Sequence, residues 1–292
     1  MLDTWLIAIA ARLLRKRVLF WTHGWVRREG RIKGLLRNLY FGIAERVLTY
    51  GERARTIASE TGFRIGKIVP IYNSLDWDKA QSVVARMEQE DAARDKGGNA
   101  LEPSIPTLIC TARLTKLCRF DLLLNAMNLL SERGIRTQLV LVGEGPERAR
   151  LEEQAKRLNL NVMFVGALYD EERLGALIYA ADMAVSPGKV GLTAVHSLMY
   201  GTPVITHGNL DNQMPEVEAI VPGSTGLFFE EGNVEDLAEK IAAWLASKHD
   251  RSAVRSRCHH VIEAKYNPAT QRRLIEDALD EVFAASEKRI AS

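Results

Sequence analysis

Three loops in this chain carry residue types that bind phosphate. The first is Thr111-Ala112-Arg113-Leu114-Thr115-Lys116, where Arg113 and Lys116 stand three residues apart. Two cations at that spacing can embrace a diphosphate, because hydrogen bonds from a cation to a phosphate oxygen are the strong, charge-assisted kind. A solvated surface loop would carry the same residues. The second is Ser186-Pro187-Gly188-Lys189-Val190-Gly191-Leu192-Thr193. Its glycines let backbone approach a ligand, and the helix that follows offers unpaired N–H groups and a positive dipole end. A tight strand-to-helix turn is the plainer reading of the same glycines. The third, Gly143-Glu144-Gly145, is half a dinucleotide fingerprint. Arg148 takes the third glycine position, and no acidic residue is evident on a following strand. It reads as a turn into a helix rather than a dinucleotide site.

Two histidine-bearing segments complete the set. His23, in Trp21-Thr22-His23-Gly24-Trp25, comes just past a strand end, where ligand-facing side chains collect in α/β sheets. A structural histidine would have the same setting. Cys258-His259-His260 has metal-ligand residue types but no further ligands, so no metal site is expected. Cys110, Cys118 and Cys258 are odd in number and share no paired spacing. That argues against a disulfide framework or zinc cluster and suits a reducing cytoplasm.

These residues need elements to hold them. From residue 106 onward, β-branched and apolar runs alternate with amphipathic helices. Strands are expected at 107–111, 138–142, 162–165, 183–186 and 203–206, and helices at 121–133, 147–158, 170–180 and 193–200. The alternation predicts a parallel sheet covered by helices, a Rossmann-like domain whose ligands sit beyond the carboxyl ends of its strands. Helices at 234–247 and 251–265 follow, and Asn267-Pro268 breaks the chain before a last helix at 269–286. Nearer the start, a helix at 5–14 and strands at 18–21, 46–50 and 67–71 make a thin sheet, patterned like the second half of an α/β domain. Residues 79–94 read as a helix, followed by a linker through Lys96-Gly97-Gly98-Asn99 to Pro103. The expected organisation is a partial N-terminal Rossmann-like domain at 1–76, a helix and linker at 77–104, a ligand-binding Rossmann-like domain at 105–266, and a C-terminal helix at 267–292 returning toward the first domain.

Length and composition agree. The 292 residues are about two domains' worth. With 47% apolar and 26% charged residues the chain is neither disordered nor collagen-like. Its net charge of +2 is lower than a dedicated nucleic-acid binder usually carries, so no nucleic-acid partner is expected. The charge is uneven: residues 1–75 hold 14 Lys/Arg against 5 Asp/Glu, a net of +9 that leaves −7 for the remainder. A basic first quarter suits an anionic lipid surface or a phosphate ligand, and equally a solvated face. The apolar run at 6–11 is far shorter than the ~20 residues a bilayer requires. Arg12, Arg15, Lys16 and Arg17 follow that run, the reverse of the order in a secretory signal. Neither export nor membrane spanning is expected.

Taken together, the segments resemble the family-4 retaining glycosyltransferases, the group 1 glycosyl transferases of GT-B fold. The resemblance is carried by Ala112-Arg113-Leu114-Thr115-Lys116-Leu117-Cys118-Arg119-Phe120-Asp121, by Val140-Leu141-Val142-Gly143-Glu144-Gly145-Pro146-Glu147-Arg148, and by Val185-Ser186-Pro187-Gly188 through Gly201-Thr202-Pro203-Val204-Ile205. Tyr72-Asn73-Ser74-Leu75-Asp76 is similar to the family's turn before its interdomain connection. The resemblance implies two Rossmann-like domains with parallel sheets. It implies transfer of a sugar, with retention of configuration and no metal, from a nucleotide-sugar donor to a saccharide or lipid-linked acceptor. Arg113 falls on the family's diphosphate arginine. Gly188, Lys189, Val190, Gly191, Leu192 and Thr193 fall on its donor-phosphate loop. Gly166 and Ala167 lie where the base is held, and His23 falls on the histidine beside the donor sugar.

Three departures accompany the match. The family's second phosphate cation, five residues after the arginine, is Cys118 here, so Lys116 or Arg119 would have to substitute. The family's Glu-x7-Glu pair would fall on Gly188 and His196, and neither is a carboxylate. His196 would then take the ribose hydroxyls through a ring nitrogen. The N-terminal part is about half the family's size, as in a truncated chain. These departures keep open a second reading: a donor-binding remnant, or a subunit that needs a partner chain. The expected location is cytoplasmic, with a basic face suited to the inner side of a membrane.

Overall fold

The computed structural model describes residues 2–93, 104–247 and 249–290, and the linker expected at 96–103 lies outside them. The chain forms two compact units, Met1–Ser74 with Lys265–Ser292, and Leu75–Ala264.

The first unit begins with α1 (Leu2–Leu13), β1 (Leu19–Trp21), α2 (Arg31–Gly42), β2 (Arg46–Thr49), α3 (Arg53–Glu60) and β3 (Ile68–Pro70). Among the described residues its sheet has three parallel strands in the order β1-β2-β3, with Phe20 opposite Val47 and Val47 opposite Ile68. Val18, Trp25, Phe41, Val47, Ile57 and Ile68 form its core. Trp25 fills that core while its indole Nε1 donates to Asn38 Oδ1 at 3.2 Å, so the buried N–H keeps a partner. Glu45 ties the end of α1 to the sheet by accepting from Arg17 at 2.8 Å and from Arg12.

The second unit contains α4 (Trp77–Ala93), β4 (Thr107–Thr111), α5 (Phe120–Glu132), β5 (Gln138–Val142), α6 (Arg148–Arg157), β6 (Asn161–Gly166), α7 (Glu171–Ala180), β7 (Met183–Ser186), α8 (Leu192–Met199), β8 (Val204–His207), β9 (Gly226–Phe229), α9 (Val234–Ala246) and α10 (Arg251–Lys265). Its described sheet is parallel throughout, in the order β6-β5-β4-β7-β8-β9. All five residues of β5 are buried, as a central parallel strand covered on both faces requires. The buried Gln138 amide donates to Ile105 O at 3.0 Å and Thr107 Oγ1 at 2.9 Å. Strand order reverses between β4 and β7. In open α/β sheets that reversal leaves a crevice at the carboxyl ends. The chain closes with α11 (Pro268–Ile290), whose Leu274, Ile275 and Ala278 pack with Leu48, Val69 and Ile71 in the first unit.

Two features differ from the sequence reading. Strand β9 was not foreseen. It is four residues long and opens on Gly226, where a Cβ would stand 1.9 Å from Val204 O, so tight strand pairing explains that glycine. Helix α4, read as part of a connection, packs against α7 and α8 within the second unit.

Candidate functional site

A cavity of about 800 Å³ opens in the second unit, where the loops after β4 and β5 meet the first turns of α7 and α8. The loop after β4 is held on both sides. Ala112 N–H donates to Val142 O at 3.1 Å, and Leu114 N–H to Glu144 O at 3.0 Å. Across the crevice, Thr193 Oγ1 donates to Thr111 O at 3.1 Å, fixing α8 to the end of β4. Gly143 makes the first contact possible: its φ is +145°, and a Cβ there would lie 2.0 Å from Ala112 O. The Gly143-x-Gly145 pair therefore serves packing between two loops, as the turn reading expected.

Arg113 lines the cavity, and among the described residues no carboxylate pairs with it. Lys116 is exposed, starts a short 3-10 turn and does not line the cavity. Arg119 leans on Asp121, Nε to Oδ1 3.5 Å. Cys118 is half-buried, its thiol donating to Arg113 O at 3.1 Å. The second cation on the cavity wall is Lys79, from the first turn of α4, whose N–H donates to Asp76 Oδ1 at 3.0 Å. Sequence reading missed Lys79. The capping aspartate Asp76, three residues upstream, was the available signal.

The loop after β7 divides. Gly188 is buried, donates its N–H to Cys118 O at 3.1 Å, and would clash through a Cβ with Leu117 O at 2.0 Å. It makes room for the neighbouring loop rather than for a ligand. Val190 is buried too, and its N–H donates to Gln213 Oε1 at 2.7 Å, so that donor is taken. Lys189 is exposed and does not line the cavity. Gly191 caps α8, and Leu192 and Thr193 line the cavity at its first turn, where helical N–H groups lack intrahelical acceptors. Gly166, with φ +82°, is buried at the end of β6 and accepts from Gly143 N–H at 2.8 Å; Ala167 beside it lines the cavity.

His196 also lines the cavity, but not alone. Its Nε2 lies 2.7 Å from Oε1 of Glu171, and the Tyr200 hydroxyl donates to the same oxygen at 2.6 Å. Glu171 is the first residue of α7, a helix that Asp170 caps by accepting from Arg173 N–H at 3.0 Å. The His196 bond, joined by that of Tyr200, outweighs burial and holds the Glu171 carboxyl below the usual carboxylate range. Burial and the adjacent carboxylate push the Tyr200 phenol up. Glu171 was not foreseen, because nothing in the spacing of residues 171 and 196 relates them before α7 and α8 pack.

His23 belongs to the first unit. It follows β1, is exposed, and its ring centroid is 4.9 Å from that of Tyr50, which follows β2. In the Cys258-His259-His260 tract, Cys258 is buried and His259 meets Trp77 edge-on at 5.2 Å between ring centroids. Among the described residues no three His, Cys, Asp or Glu side chains gather in a metal-binding group, and no helix is long and apolar enough to cross a membrane.

The model of the glycosyl transferases group 1 family matches residues 91–267, more than half of the chain. A Mycobacterium tuberculosis GDP-mannose-dependent alpha-(1-6)-phosphatidylinositol dimannoside mannosyltransferase is 36% identical over 106 residues, 35% of this chain and 27% of that protein. The alpha-monoglucosyldiacylglycerol synthase of Streptococcus pneumoniae is 29% identical over 192 residues, 64% of this chain and 42% of its own length. The chain thus spans less than half the length of these relatives. The crystal structure of Anabaena HepE in complex with UDP superposes with a TM-score of 0.73 at 18% identity, covering 95% of this chain and 76% of that one. This likeness is one of fold.

Proposed function

The chain belongs to the glycosyl transferases group 1 family, and from that premise we propose that it transfers a sugar from a nucleotide-sugar donor, with retained anomeric configuration, to a saccharide or lipid-linked acceptor. The observation that supports the donor reading most directly is the pairing of Arg113, which has no carboxylate partner, with the open first turn of α8 on one cavity wall. Cationic side chains and a helix N-terminus stabilise charge that develops on a departing diphosphate. Arg113, the N–H groups of Leu192 and Thr193, and Lys79 are assigned to the phosphates, so the chain's own cations take the charge and no metal is required. Ala167 and its neighbour Gly166 are assigned to the base.

The two curated relatives are named for phosphatidylinositol dimannoside and for diacylglycerol, which favours a lipid-linked acceptor for this chain as well. The basic first unit supports attachment to an anionic membrane surface from the cytoplasmic side. A second reading, donor binding with weak turnover or with a partner chain needed, is favoured by Cys118, which is tied to Arg113 O where a phosphate cation was expected. The deciding experiment is calorimetry of UDP, GDP and ADP and their sugars, followed by release of free sugar. Binding with turnover supports transfer, binding without turnover supports the second reading, and no binding rejects both.

A further inference from the structure

A buried amide ties the loop after β7, which leads into α8, to the end of β8. Gln213 is 1% exposed, follows β8 and does not line the cavity. Its Oε1 accepts from Val190 N–H at 2.7 Å, and its Nε2 donates to His207 O at 2.9 Å and to Thr206 Oγ1 at 3.0 Å. These partners fix which end of the amide is which. The N–H of Val190 needs an acceptor and the carbonyl of His207 needs a donor, so neither a carboxylate nor an apolar side chain of this length serves both. Thr206 Oγ1 gives its one proton to Ser186 O, the end of β7, at 2.8 Å and keeps a lone pair for Gln213. Met214 N–H returns to Val190 O at 3.3 Å, so Val190 is held through both of its backbone groups.

Val190 stands one residue before Gly191, the N-cap of α8, which has no side chain to bond the N–H groups of the first turn. From the other side, Thr193 Oγ1 donates to Thr111 O at 3.1 Å. The first turn of α8 is therefore held between two clamps, Thr193 to the end of β4, and Val190 through Gln213 to the end of β8. Donors stabilise charge best when they are fixed before the charge arrives, because a ligand that must order them spends binding free energy in doing so. We propose that Gln213 is a positioning residue for the anion-binding turn of α8, acting on phosphate through Val190 without touching the ligand. This rests on the nucleotide reading above. It gives a part in donor binding to a residue outside every segment that carries the family resemblance.

The test is amide hydrogen exchange and calorimetry with UDP and GDP on the full chain, for wild type, Gln213→Met and Thr206→Val. Methionine keeps the length of the side chain and removes its hydrogen bonds to Val190, His207 and Thr206, while valine keeps the shape of threonine and removes one partner of the amide. In Gln213→Met, exchange within residues 188–193 is expected to quicken about tenfold or more while β4 and β5 keep their protection, and UDP and GDP are expected to bind about tenfold more weakly, the cost of one backbone residue left for the ligand to order. Thr206→Val should move both readouts the same way by a few-fold, and it decides the matter where Gln213→Met does not fold. A merely structural amide would lower protection throughout the second unit, or loosen residues 188–193 while leaving UDP and GDP affinity within about twofold. Either result overturns the assignment, and so does unchanged exchange at 188–193. Wild type that binds neither UDP nor GDP overturns the nucleotide reading and this assignment with it, whereas variants that bind as tightly as a binding wild type overturn the assignment alone.

Discussion

The thiol of Cys118 donates to the carbonyl oxygen of Arg113 at 3.1 Å, so the residue standing where a phosphate cation was expected instead staples the loop that carries Arg113. The same loop is held from outside, because Gly188 N–H donates to Cys118 O at 3.1 Å. The loop is thus braced at Cys118, and the second cation lining the cavity is Lys79, from α4. Replacing Cys118 with alanine should weaken nucleoside diphosphate binding by a few-fold, as expected for one weak loop hydrogen bond. Cys118→Lys should instead raise affinity in low salt and lose that gain in high salt, since exposed charges are screened. Calorimetry at two ionic strengths separates the outcomes, and a salt-independent gain would contradict this account.

Arg113→Ala should weaken UDP or GDP binding by about 2–4 kcal/mol, the range for truncating one partner of a desolvated charge pair. Lys116→Ala should leave it nearly unchanged, because Lys116 does not line the cavity. Equal losses in the two variants would return Lys116 to the site.

Stability should fall in two steps as the solution is acidified. Burial lowers the pKa of His207 and of His259 from the ordinary 6.5. The unfolded chain then takes up these protons first, so stability is full above 6.5 and declines as pH drops through the folded values. Glu171 and Glu45 are held below 4.5, Glu171 by His196 and Tyr200, Glu45 by Arg17 and Arg12 against the pull of burial. Their contribution is complete above 4.5 and disappears below it, giving the second step. Urea midpoints across this range, with His259→Gln removing part of the first step, measure both. A midpoint that stays constant between neutral pH and 4.5 would refute the histidine step.

The first unit should bind anionic vesicles. Several of its cations are already paired, Arg17 with Glu45 and Arg28 with Glu60 at 2.8 and 2.7 Å. Among the described residues, Arg15, Lys16, Arg27, Arg31 and Lys33 have no carboxylate partner, and they accompany the exposed Leu6, Ile7 and Leu13 of α1 and Ile32 and Leu35 of α2. Each such cation contributes about 1 kcal/mol near anionic lipid. Sedimentation with anionic vesicles should exceed that with neutral ones, diminish in salt, and drop in Arg15→Glu/Lys16→Glu. Equal sedimentation with both lipids would reject a charge-driven surface.

The alternation of buried runs and amphipathic helices was legible from residue 106 onward because both periods are local: β4, β5 and β7 fall where the pattern puts them. Arg113, Leu192 and Thr193 could be read as candidates because they follow strand ends, Ala167 and His196 came only from the family resemblance, and all five line one cavity. Strand β9 escaped because four residues beginning with glycine carry too short a pattern. What Gly188 and Val190 do could not be read from their own segment. One is pressed against Leu117 and the other donates to Gln213, and only packing brings those partners near. The same holds for the carboxylate in the cavity. Glu171 and His196 are 25 residues apart on different helices, and they meet because parallel strands place α7 and α8 side by side. Local chemistry along the chain pointed to Arg113 and the start of α8, whereas the Glu171–His196–Tyr200 cluster exists only in the folded chain, since a hydrogen bond between two helices depends on their distance in space and not on their spacing in sequence.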